Sequence, residues 1–392
     1  MINYKEEAMA LKEEIIANRR QFHGFAELGF ELPKTVELVI NELRSYGYEP
    51  QLCGKAGVTC VAGQGGKVVI LRGDMDALPM MEESGLDFAS TNGHCHSCGH
   101  DMHTAMLLGA AKLLKQHESE LKGRVKFMFQ PAEELLGGAA DMIAAGLLEN
   151  PKVDAAIGMH VAAGAEPYSR VGAVSYKKDY VTFSGDYIRI KVVGKSAHGS
   201  QPQMGVDAIN IAAHIVIALQ EILAREIGSL EHGVVLVGKI EGGSSCNTQS
   251  GDCQLDVSVR ADTAPLRDFL KNRVKEIAES TAKTFRGEAI VDFVYGMPPM
   301  YNNPDMCKCV VGYCEELLGK ENVLERTEHG GTEDFTAVSE LVPSMYINIG
   351  AGHIAGEDVT AHSANIIFDE DVLPIGAAVY AHTATRFLEE NC

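Results

Sequence analysis

The sequence contains no tryptophan, and aromatic residues make up only 6% of its 392 residues. Hydrophobic residues nevertheless reach 46%, so the core has to be built from aliphatic side chains and methionine, as in ordinary α/β enzymes. Basic residues are also scarce, because 34 Lys and Arg stand against 54 Asp and Glu, a formal net charge of −20. An acidic surface repels nucleic-acid phosphates and anionic membranes, so we expect neither as a partner.

Long apolar segments are missing as well. No run of about 18 apolar residues occurs, and residues 1–7 lack the basic and apolar regions of a secretory signal. The sequence therefore predicts a cytoplasmic protein in which most of the ten cysteines are reduced thiols. Cys307 and Cys314 share a predicted helical face with apolar residues, and we expect them in the core.

The order of predicted elements indicates two domains in an α/β fold. Helical and strand patterns alternate up to a strand at residues 154–160, which is typical of helices packed on a mostly parallel sheet. From residue 185 the order becomes β-α-β-β-α-β, that of a ferredoxin-like αβ sandwich. We predict a catalytic domain in two parts, residues 1–184 and 297–392, with an inserted satellite domain at residues 185–296.

The densest group of potential metal ligands lies in residues 93–103, GHCHSCGHDMH. Imidazole and thiolate are usual zinc ligands, and Gly99 allows the chain to bend so that Cys98 and His100 point at one centre. This segment predicts a metal site next to the start of a helix. An alternative is a structural zinc site built from four cysteines, Cys95, Cys98, Cys307 and Cys309.

Two pairs of carboxylates follow predicted strands, where open α/β sheets carry their functional groups. Asp74 and Asp76 follow the first strand, and Asp76 is placed to accept the second ring N–H of a metal-binding histidine. Glu133 and Glu134 follow the next, and adjacent carboxylates repel each other unless a cation offsets their charge. We predict that one glutamate binds metal and that the other takes a proton from water.

Together with GMHV (158–161) and AHSANIIFDE (361–370), these segments resemble the M20 metallopeptidases. The resemblance is to the amidohydrolase branch of aminoacylases, hippurate hydrolases and auxin-conjugate (IAA-amino acid) hydrolases. It runs along essentially the whole chain through RGDMDALP (72–79), CGHDMHTA (98–105), PAEE (131–134), GKSAHGSQP (194–202) and GTEDF (331–335). Ala26 departs from it, because the family commonly has proline in its N-terminal HxxPE motif.

The resemblance implies a zinc-exopeptidase-like catalytic domain that holds two divalent metal ions per subunit. Zn²⁺ is the expected metal, and Mn²⁺, Co²⁺ or Ni²⁺ are alternatives. The implied ligands are Cys98, His100, Glu134, His160 and His362. Asp74, Asp76 and Asp101 belong to the same motifs and are expected to support them.

The resemblance also assigns the reaction. Glu133 matches the family's general base, and His198 matches a histidine that reaches the scissile carbonyl, often in a neighbouring subunit's site. Asn247 and Arg260 match substrate contacts. The implied activity is hydrolysis of the amide bond of N-acyl amino acids or related small conjugates, by water activated between the metals.

The inserted domain implies a homodimer or higher homo-oligomer. Alternatives within the family are an N-acetyl-diaminopimelate deacetylase and a dipeptidase, and outside enzymes a catalytically inactive binding module.

Overall fold

The computed structural model describes residues 2–390. Its α-helices are α1 (Tyr4–Ala10), α2 (Lys12–Phe25), α3 (Pro33–Ser45), α4 (His100–Gln116), α5 (Gly138–Ala144), α6 (Ala208–Glu221), α7 (Ala264–Thr284), α8 (Pro304–Leu318), α9 (Thr336–Ser339) and α10 (Val372–Glu390). Its strands are β1 (Gln51–Cys53), β2 (Gly57–Gly63), β3 (Val68–Asp74), β4 (Arg124–Gln130), β5 (Ala155–Ala162), β6 (Val174–Tyr176), β7 (Asp179–Tyr180), β8 (Gly185–Val193), β9 (Ala197–His198), β10 (Gly233–Gly242), β11 (Thr248–Gln249), β12 (Asp252–Ala261), β13 (Glu288–Met297), β14 (Tyr301–Asn302), β15 (Val323–Glu325) and β16 (Ser344–Gly350).

The chain divides into two compact units. Unit 1 comprises the chain up to Asp179, Tyr301–Glu328 and the segment from Asp334 onward, and unit 2 comprises Tyr180–Met300 and His329–Glu333. The predicted boundaries at residues 185 and 296 lie close to these divisions. The segment His329–Glu333 falls in the predicted catalytic part but belongs to unit 2, because the backbone of Gly330 pairs with residues 181–183.

Unit 1 is built on an eight-stranded sheet in the order β1-β2-β4-β3-β5-β16-β6-β15. Four neighbouring pairs are parallel, namely β3 with β4, β3 with β5, β5 with β16 and β6 with β15, and the other three are antiparallel. Strand β3 is buried along its whole length, as expected for a strand covered on both faces. This mostly parallel sheet confirms the predicted α/β fold class.

Parallel strands place their carboxyl ends at one edge of the sheet, where open α/β folds carry functional groups. Asp74 ends β3, Gln130 ends β4 and His160 lies near the end of β5. Helix α4 begins at His100, three residues before the predicted start at residue 103. The reason is Gly99, whose φ of 86° turns the chain into the helix, and a Cβ there would lie 2.4 Å from the Val161 side chain.

Unit 2 contains a four-stranded antiparallel sheet in the order β10-β12-β8-β13. With α6 and α7, the chain order is β-α-β-β-α-β, which is the predicted ferredoxin-like arrangement. The helices and the sheet share a separate apolar core that includes Ile215 and Leu219 of α6, Leu270 of α7 and Leu255 of β12.

One helical segment of unit 2, Ala208–Glu226, is long and apolar enough to cross a membrane by length and composition alone. It comprises α6 and the π-helical turn Ile222–Glu226. Core helices of soluble proteins pass the same test, and Ile211, Ile215 and Leu219 of this segment are buried in the core of unit 2. The segment is therefore weak evidence for a membrane span, and the cytoplasmic location stays a prediction.

Candidate metal centre

Eight side chains of unit 1 bring donor atoms together at the carboxyl edge of the sheet. They form the four overlapping groups that lie wholly in unit 1, and within each group the donor atoms lie within 4.8 Å of one another. The residues of this donor cluster are Asp74, Cys98, His100, His103, Glu133, Glu134, His160 and His362. All five predicted ligands and the predicted base are among them. The structure thus brings these six side chains together, and their roles stay predictions.

Two histidine rings of the donor cluster are oriented by backbone carbonyl groups. The Nδ1–H of His100 donates to the carbonyl oxygen of Asp76 at 2.7 Å. The Nδ1–H of His160 donates to the carbonyl oxygen of Val161, also at 2.7 Å. In the neutral form of each ring, which a metal ligand must adopt, Nε2 then keeps a free lone pair. His100 Nε2 is buried and makes no hydrogen bond within residues 2–390, and His160 Nε2 lies 3.3 Å from Cys98 Sγ.

A third histidine, His103, supports this arrangement. Its Nδ1–H donates to Asp74, and its Nε2 accepts the backbone N–H of Val161 at 2.8 Å. Burial lowers the pKa of His103 against the opposing charge of Asp74. Both ring nitrogens are engaged, so His103 holds Val161, and with it the adjacent His160. Sequence reasoning did not assign this role, although His103 stands within the predicted metal-binding segment.

The carboxylate of Asp76 orients the two glutamates. Its oxygens accept the backbone N–H groups of Glu133 at 3.0 Å and Glu134 at 3.2 Å. His100 Nδ1 is 3.5 Å from this carboxylate, and the ring N–H that the sequence assigned to it is accepted by the backbone carbonyl of Asp76 instead. The physical reason is that two consecutive N–H groups satisfy both oxygens of a buried carboxylate.

The backbone around the glutamates is unusual. Ala132 and Leu136 flank them and both have a φ of 53°, a conformation that is costly for residues with a side chain. The Ala132 N–H donates to the carbonyl oxygen of Gly29 at 3.1 Å, and that of Leu136 donates to the carbonyl oxygen of Glu133 at 2.7 Å. These bonds hold a tight turn that points the carboxylates of Glu133 and Glu134 toward the other side chains of the donor cluster.

Asp101, which was expected to support the ligands, is bonded to residues outside the donor cluster. Its carboxylate lies 2.6 Å from Arg19 Nε and 2.8 Å from His23 Nδ1, both on α2. Burial alone would raise the pKa of Asp101, but Arg19 and His23 hold it far below its usual range. His23 Nε2 in turn lies 2.9 Å from Glu82. This buried network ties the first turn of α4, which carries His100, to α2.

His362 approaches the donor cluster from the segment between β16 and α10. Its side chain is about half exposed, and its Nε2 lies 3.3 Å from Glu134 Oε1. Its backbone N–H donates to the carbonyl oxygen of Ser97 at 3.0 Å, and its φ of 67° is unusual for a residue with a side chain. The strained conformation and the bond to Ser97 fix His362 beside the segment that carries Cys98.

The spacing of the donor atoms fits a divalent cation. His100 Nε2 lies 3.6 Å from Asp74 Oδ2 and 3.9 Å from an oxygen of each glutamate, which is too far for hydrogen bonds. Ligands that surround one zinc ion tetrahedrally at about 2.0–2.3 Å are roughly 3.3–3.8 Å apart. The adjacent carboxylates of Glu133 and Glu134 also repel each other unless a cation or a proton offsets their charge.

The thiol of Cys98 would have to lose its proton to act as a metal ligand. Burial raises its pKa to about 12, although His100 acts to lower it. A thiolate at neutral pH therefore needs a bound cation. The alternative structural zinc site is wrong, because within residues 2–390 Cys95, Cys307 and Cys309 belong to no group of potential ligands. Cys307 is instead buried in the core as a free thiol, as is Cys314, which confirms their predicted place.

Three further predicted site residues lie in unit 2. His198 is exposed, and its Nδ1 accepts the backbone N–H of Ser200 at 3.2 Å, so the proton of the neutral ring sits on Nε2. Asn247 is exposed, and its backbone carbonyl oxygen accepts the backbone N–H of Gly199 at 2.8 Å, next to His198. Arg260 lies on β12, where its guanidinium donates to a threonine hydroxyl at residue 332.

The fold and the donor cluster define a class of α/β proteins that bind divalent metal at the carboxyl edge of a mostly parallel sheet. Comparison with known proteins narrows the class. Peptidase family M20/M25/M40 matches residues 70–386. The chain therefore belongs to peptidase family M20, as its motifs predicted, and it is a hydrolase.

Individual relatives agree with this assignment. IAA-amino acid hydrolase ILR1-like 4 of Arabidopsis thaliana is 35% identical over 387 residues, which cover 96% of this chain and 86% of the relative. N-acyl-L-amino acid amidohydrolase of Geobacillus stearothermophilus is 36% identical over 297 residues, or 74% of this chain and 79% of the relative. The crystal structure of a dinuclear metal binding peptidase of the M20 family from Bacillus subtilis has a TM-score of 0.83 at 28% identity, covering 97% and 99% of the two chains.

The role found for Asp76 can be tested by metal binding. Asp76→Asn should weaken metal affinity about 10- to 100-fold, because an amide offers one oxygen where the two glutamate N–H groups need two. Affinity is measured by competition with a chromogenic chelator. Asp141→Asn is the matched control, since Asp141 also accepts a backbone N–H, from Lys55 at 2.7 Å, outside the donor cluster. Wild-type affinity in Asp76→Asn would contradict the role.

Proposed function

We propose that this protein hydrolyses the amide bond of N-acyl amino acids or related small amide conjugates, with divalent metal ions held in the donor cluster. The observation that carries the proposal is the pair Glu133 and Glu134, two consecutive carboxylates turned toward the free Nε2 of His100 at 3.9 Å. One is available as a ligand and the other as a base. The names of two relatives, an IAA-amino acid hydrolase and an N-acyl-L-amino acid amidohydrolase, support the substrate class.

The proposed metal ligands are Cys98, His100, Glu134, His160 and His362. Thiolate, imidazole and carboxylate together suit Zn²⁺ best, and Mn²⁺, Co²⁺ or Ni²⁺ are the alternatives. When bound, two such ions lower the pKa of water toward 7 and polarise the amide carbonyl.

Glu133 is the proposed general base. It accepts a proton from the attacking water and delivers it to the departing amine nitrogen. The position of Glu134 supports its role as the metal ligand of the pair. Its Oε1 lies 3.3 Å from Nε2 of His362, which is also a proposed ligand. Asp76 holds the backbone of both glutamates, which fixes the points from which the two side chains extend.

His198 is the proposed donor to the developing oxyanion. Its Nδ1 accepts the Ser200 N–H, so its Nε2–H is available to donate. Such a donor contributes on the order of 3 kcal/mol to transition-state stabilisation. Asn247 and Arg260 remain the proposed substrate contacts of unit 2.

The proposed activity is tested with a panel of N-acyl amino acids, N-acetyl-diaminopimelate and free-amine dipeptides. We expect amine release from the N-acyl amino acids, loss of release after chelation, and recovery when Zn²⁺, Mn²⁺, Co²⁺ or Ni²⁺ is added back. Elemental analysis should find close to two metal ions per chain. Turnover of dipeptides or of N-acetyl-diaminopimelate alone would favour the corresponding alternative, and metal binding without any turnover would indicate a binding module.

The two glutamates form a natural matched pair for mutation. Glu133→Gln should lower kcat about 10²- to 10⁴-fold with metal content unchanged, because it removes the base and keeps the ligands. Glu134→Gln should lower metal content itself. Both variants are measured by elemental analysis and amine release. Turnover near the wild-type rate in Glu133→Gln would refute the proposed base.

We also propose that the protein is a homodimer formed through unit 2. Strand β10 is an edge of its sheet, and edge strands present unpaired backbone groups to a second chain. Val234, Leu236 and Ile240 of this strand are 44–56% exposed, and Ile217 of α6 is 68% exposed. Exposed aliphatic side chains next to an open edge are typical of an interface.

The dimer is tested by placing charge on this surface. The double variant Ile217→Glu and Leu236→Glu should sediment at the monomer mass of 42.2 kDa, because burying two carboxylates in an interface is costly. Leu341→Glu, which alters a 60% exposed leucine of unit 1, should sediment as the wild type does. A wild-type protein that is monomeric at working concentration would overturn the proposal.

A further inference from the structure

Unit 1 contains a cavity of about 310 Å³ between the segment that follows β6 and the first half of α8. Small-molecule sites have volumes of about 300–1,000 Å³, so this cavity has the size for a compact ligand of roughly ten non-hydrogen atoms. None of its lining residues belongs to the donor cluster. Those that matter for its chemistry are Lys178, Asp179, Pro304, Cys307, Lys308 and Val311.

The wall that α8 contributes is apolar. Pro304, Cys307 and Val311 follow each other at spacings of three and four residues, so they lie on one face of the helix. Cys307 is only 4% exposed, and burial raises the pKa of its thiol above the usual value. The thiol is therefore neutral at pH 7, and the inner part of the cavity suits an uncharged, apolar group.

The charged side chains of the lining are exposed and stand at the mouth of the cavity. The Nζ of Lys178 is already paired with Glu325 at 2.7 Å. Lys308 and Asp179, by contrast, form no ion pair with any of residues 2–390. One ammonium and one carboxylate without ionic partners therefore flank the entrance to an apolar interior.

We propose that this cavity binds a free α-amino acid with an apolar side chain. Its carboxylate pairs with Lys308 and its ammonium with Asp179, while its side chain packs against Cys307 and Val311. A simple anion or cation matches only one of the two charges and is repelled by the other. The choice of an α-amino acid among zwitterions rests on the proposed function, because hydrolysis of an N-acyl amino acid releases such a molecule. The cavity is then a product site separate from the donor cluster.

Calorimetry tests the site with leucine and with three probes that each lack one of its features. Leucinamide lacks the carboxylate and 4-methylpentanoate lacks the ammonium. Each should bind the wild-type protein about two- to fivefold more weakly than leucine does, because exposed ion pairs are weak. Glycine lacks the apolar group and should bind at least about tenfold more weakly, because burial of apolar surface supplies most of the affinity. Equal binding of leucine and all three probes would refute the site.

Variants of the two charged residues assign the contacts. Lys308→Glu should weaken leucine binding about fivefold or more, because repulsion replaces attraction. Asp179→Asn should remove the preference for leucine over 4-methylpentanoate, and asparagine tolerates the φ of 58° at this position. The matched control is Lys152→Glu, which changes an exposed lysine of unit 1 outside the cavity and should bind leucine as the wild type does. Wild-type affinity in Lys308→Glu would overturn the proposal.

The thiol of Cys307 reports occupation of the cavity directly. Saturating leucine should slow its alkylation by iodoacetamide at least about fivefold, because the bound side chain covers the sulfur. Cys246, an exposed free thiol of unit 2, is the matched control and should react at the same rate with and without leucine. Both rates are measured by mass spectrometry of the alkylated peptides. An unchanged rate at Cys307 would contradict occupation of the cavity.

Chelation separates this site from product binding at the donor cluster. Leucine in the cavity should stay bound after the metal ions are removed. Binding that is lost on chelation and unchanged in Lys308→Glu would place leucine at the donor cluster and refute the cavity site. Failure of the proposed function has a different signature, because the wild type would then release no amine from N-acyl amino acids. Calorimetry and alkylation would still decide whether the cavity binds leucine.

Discussion

Two hydrogen bonds from imidazole Nδ1 groups to backbone carbonyls determine which atoms the donor cluster presents. His100 is held by the carbonyl of Asp76 and His160 by that of Val161, so in the neutral form of each ring the unprotonated Nε2 faces inward. A backbone carbonyl only accepts hydrogen bonds, so it fixes the tautomer as well as the ring orientation. Both carbonyls lie at the carboxyl edge of the sheet, and the parallel strand arrangement therefore sets the chemistry of the site.

Buried ionic networks position the elements around this edge. Arg72 bonds to Asp74 at 2.7 Å and to Gln130 at 2.8 Å, which links the ends of β3 and β4. Arg19 and His23 similarly anchor Asp101 and the start of α4. Removing one partner of a buried ion pair leaves an uncompensated charge, which is more costly than the pair is stabilising. These networks therefore disfavour other arrangements of the donor cluster. Their contribution to the free energy of folding is smaller than the cost of breaking them.

The sequence predicted the architecture well because the buried strands and the amphipathic helices have distinct hydrophobic periods. It also identified the eleven-residue metal-binding segment, since such a density of His and Cys is rare. It did not reveal that the Asp76 carboxylate accepts the N–H groups of the glutamates and that its backbone carbonyl accepts the ring N–H of His100. Both acceptors belong to one residue, and the sequence does not show which of them a partner will use. The role of His103 depends on Val161, 58 residues away, and that contact exists only after β5 has paired with β3.

The charge at the site depends on nearby groups rather than on the net charge of the whole chain. The net charge of −20 repels an anionic substrate on average, but charges farther away than about 8 Å are largely screened at physiological ionic strength. Two divalent ions would bring four positive charges, which would offset the Cys98 thiolate and the carboxylates of Glu133, Glu134 and Asp76, because the buried Asp74 is already paired with Arg72. Without the ions the same groups would leave an excess of negative charge at the carboxyl edge of the sheet, so bound metal would decide whether an anionic substrate can approach this edge.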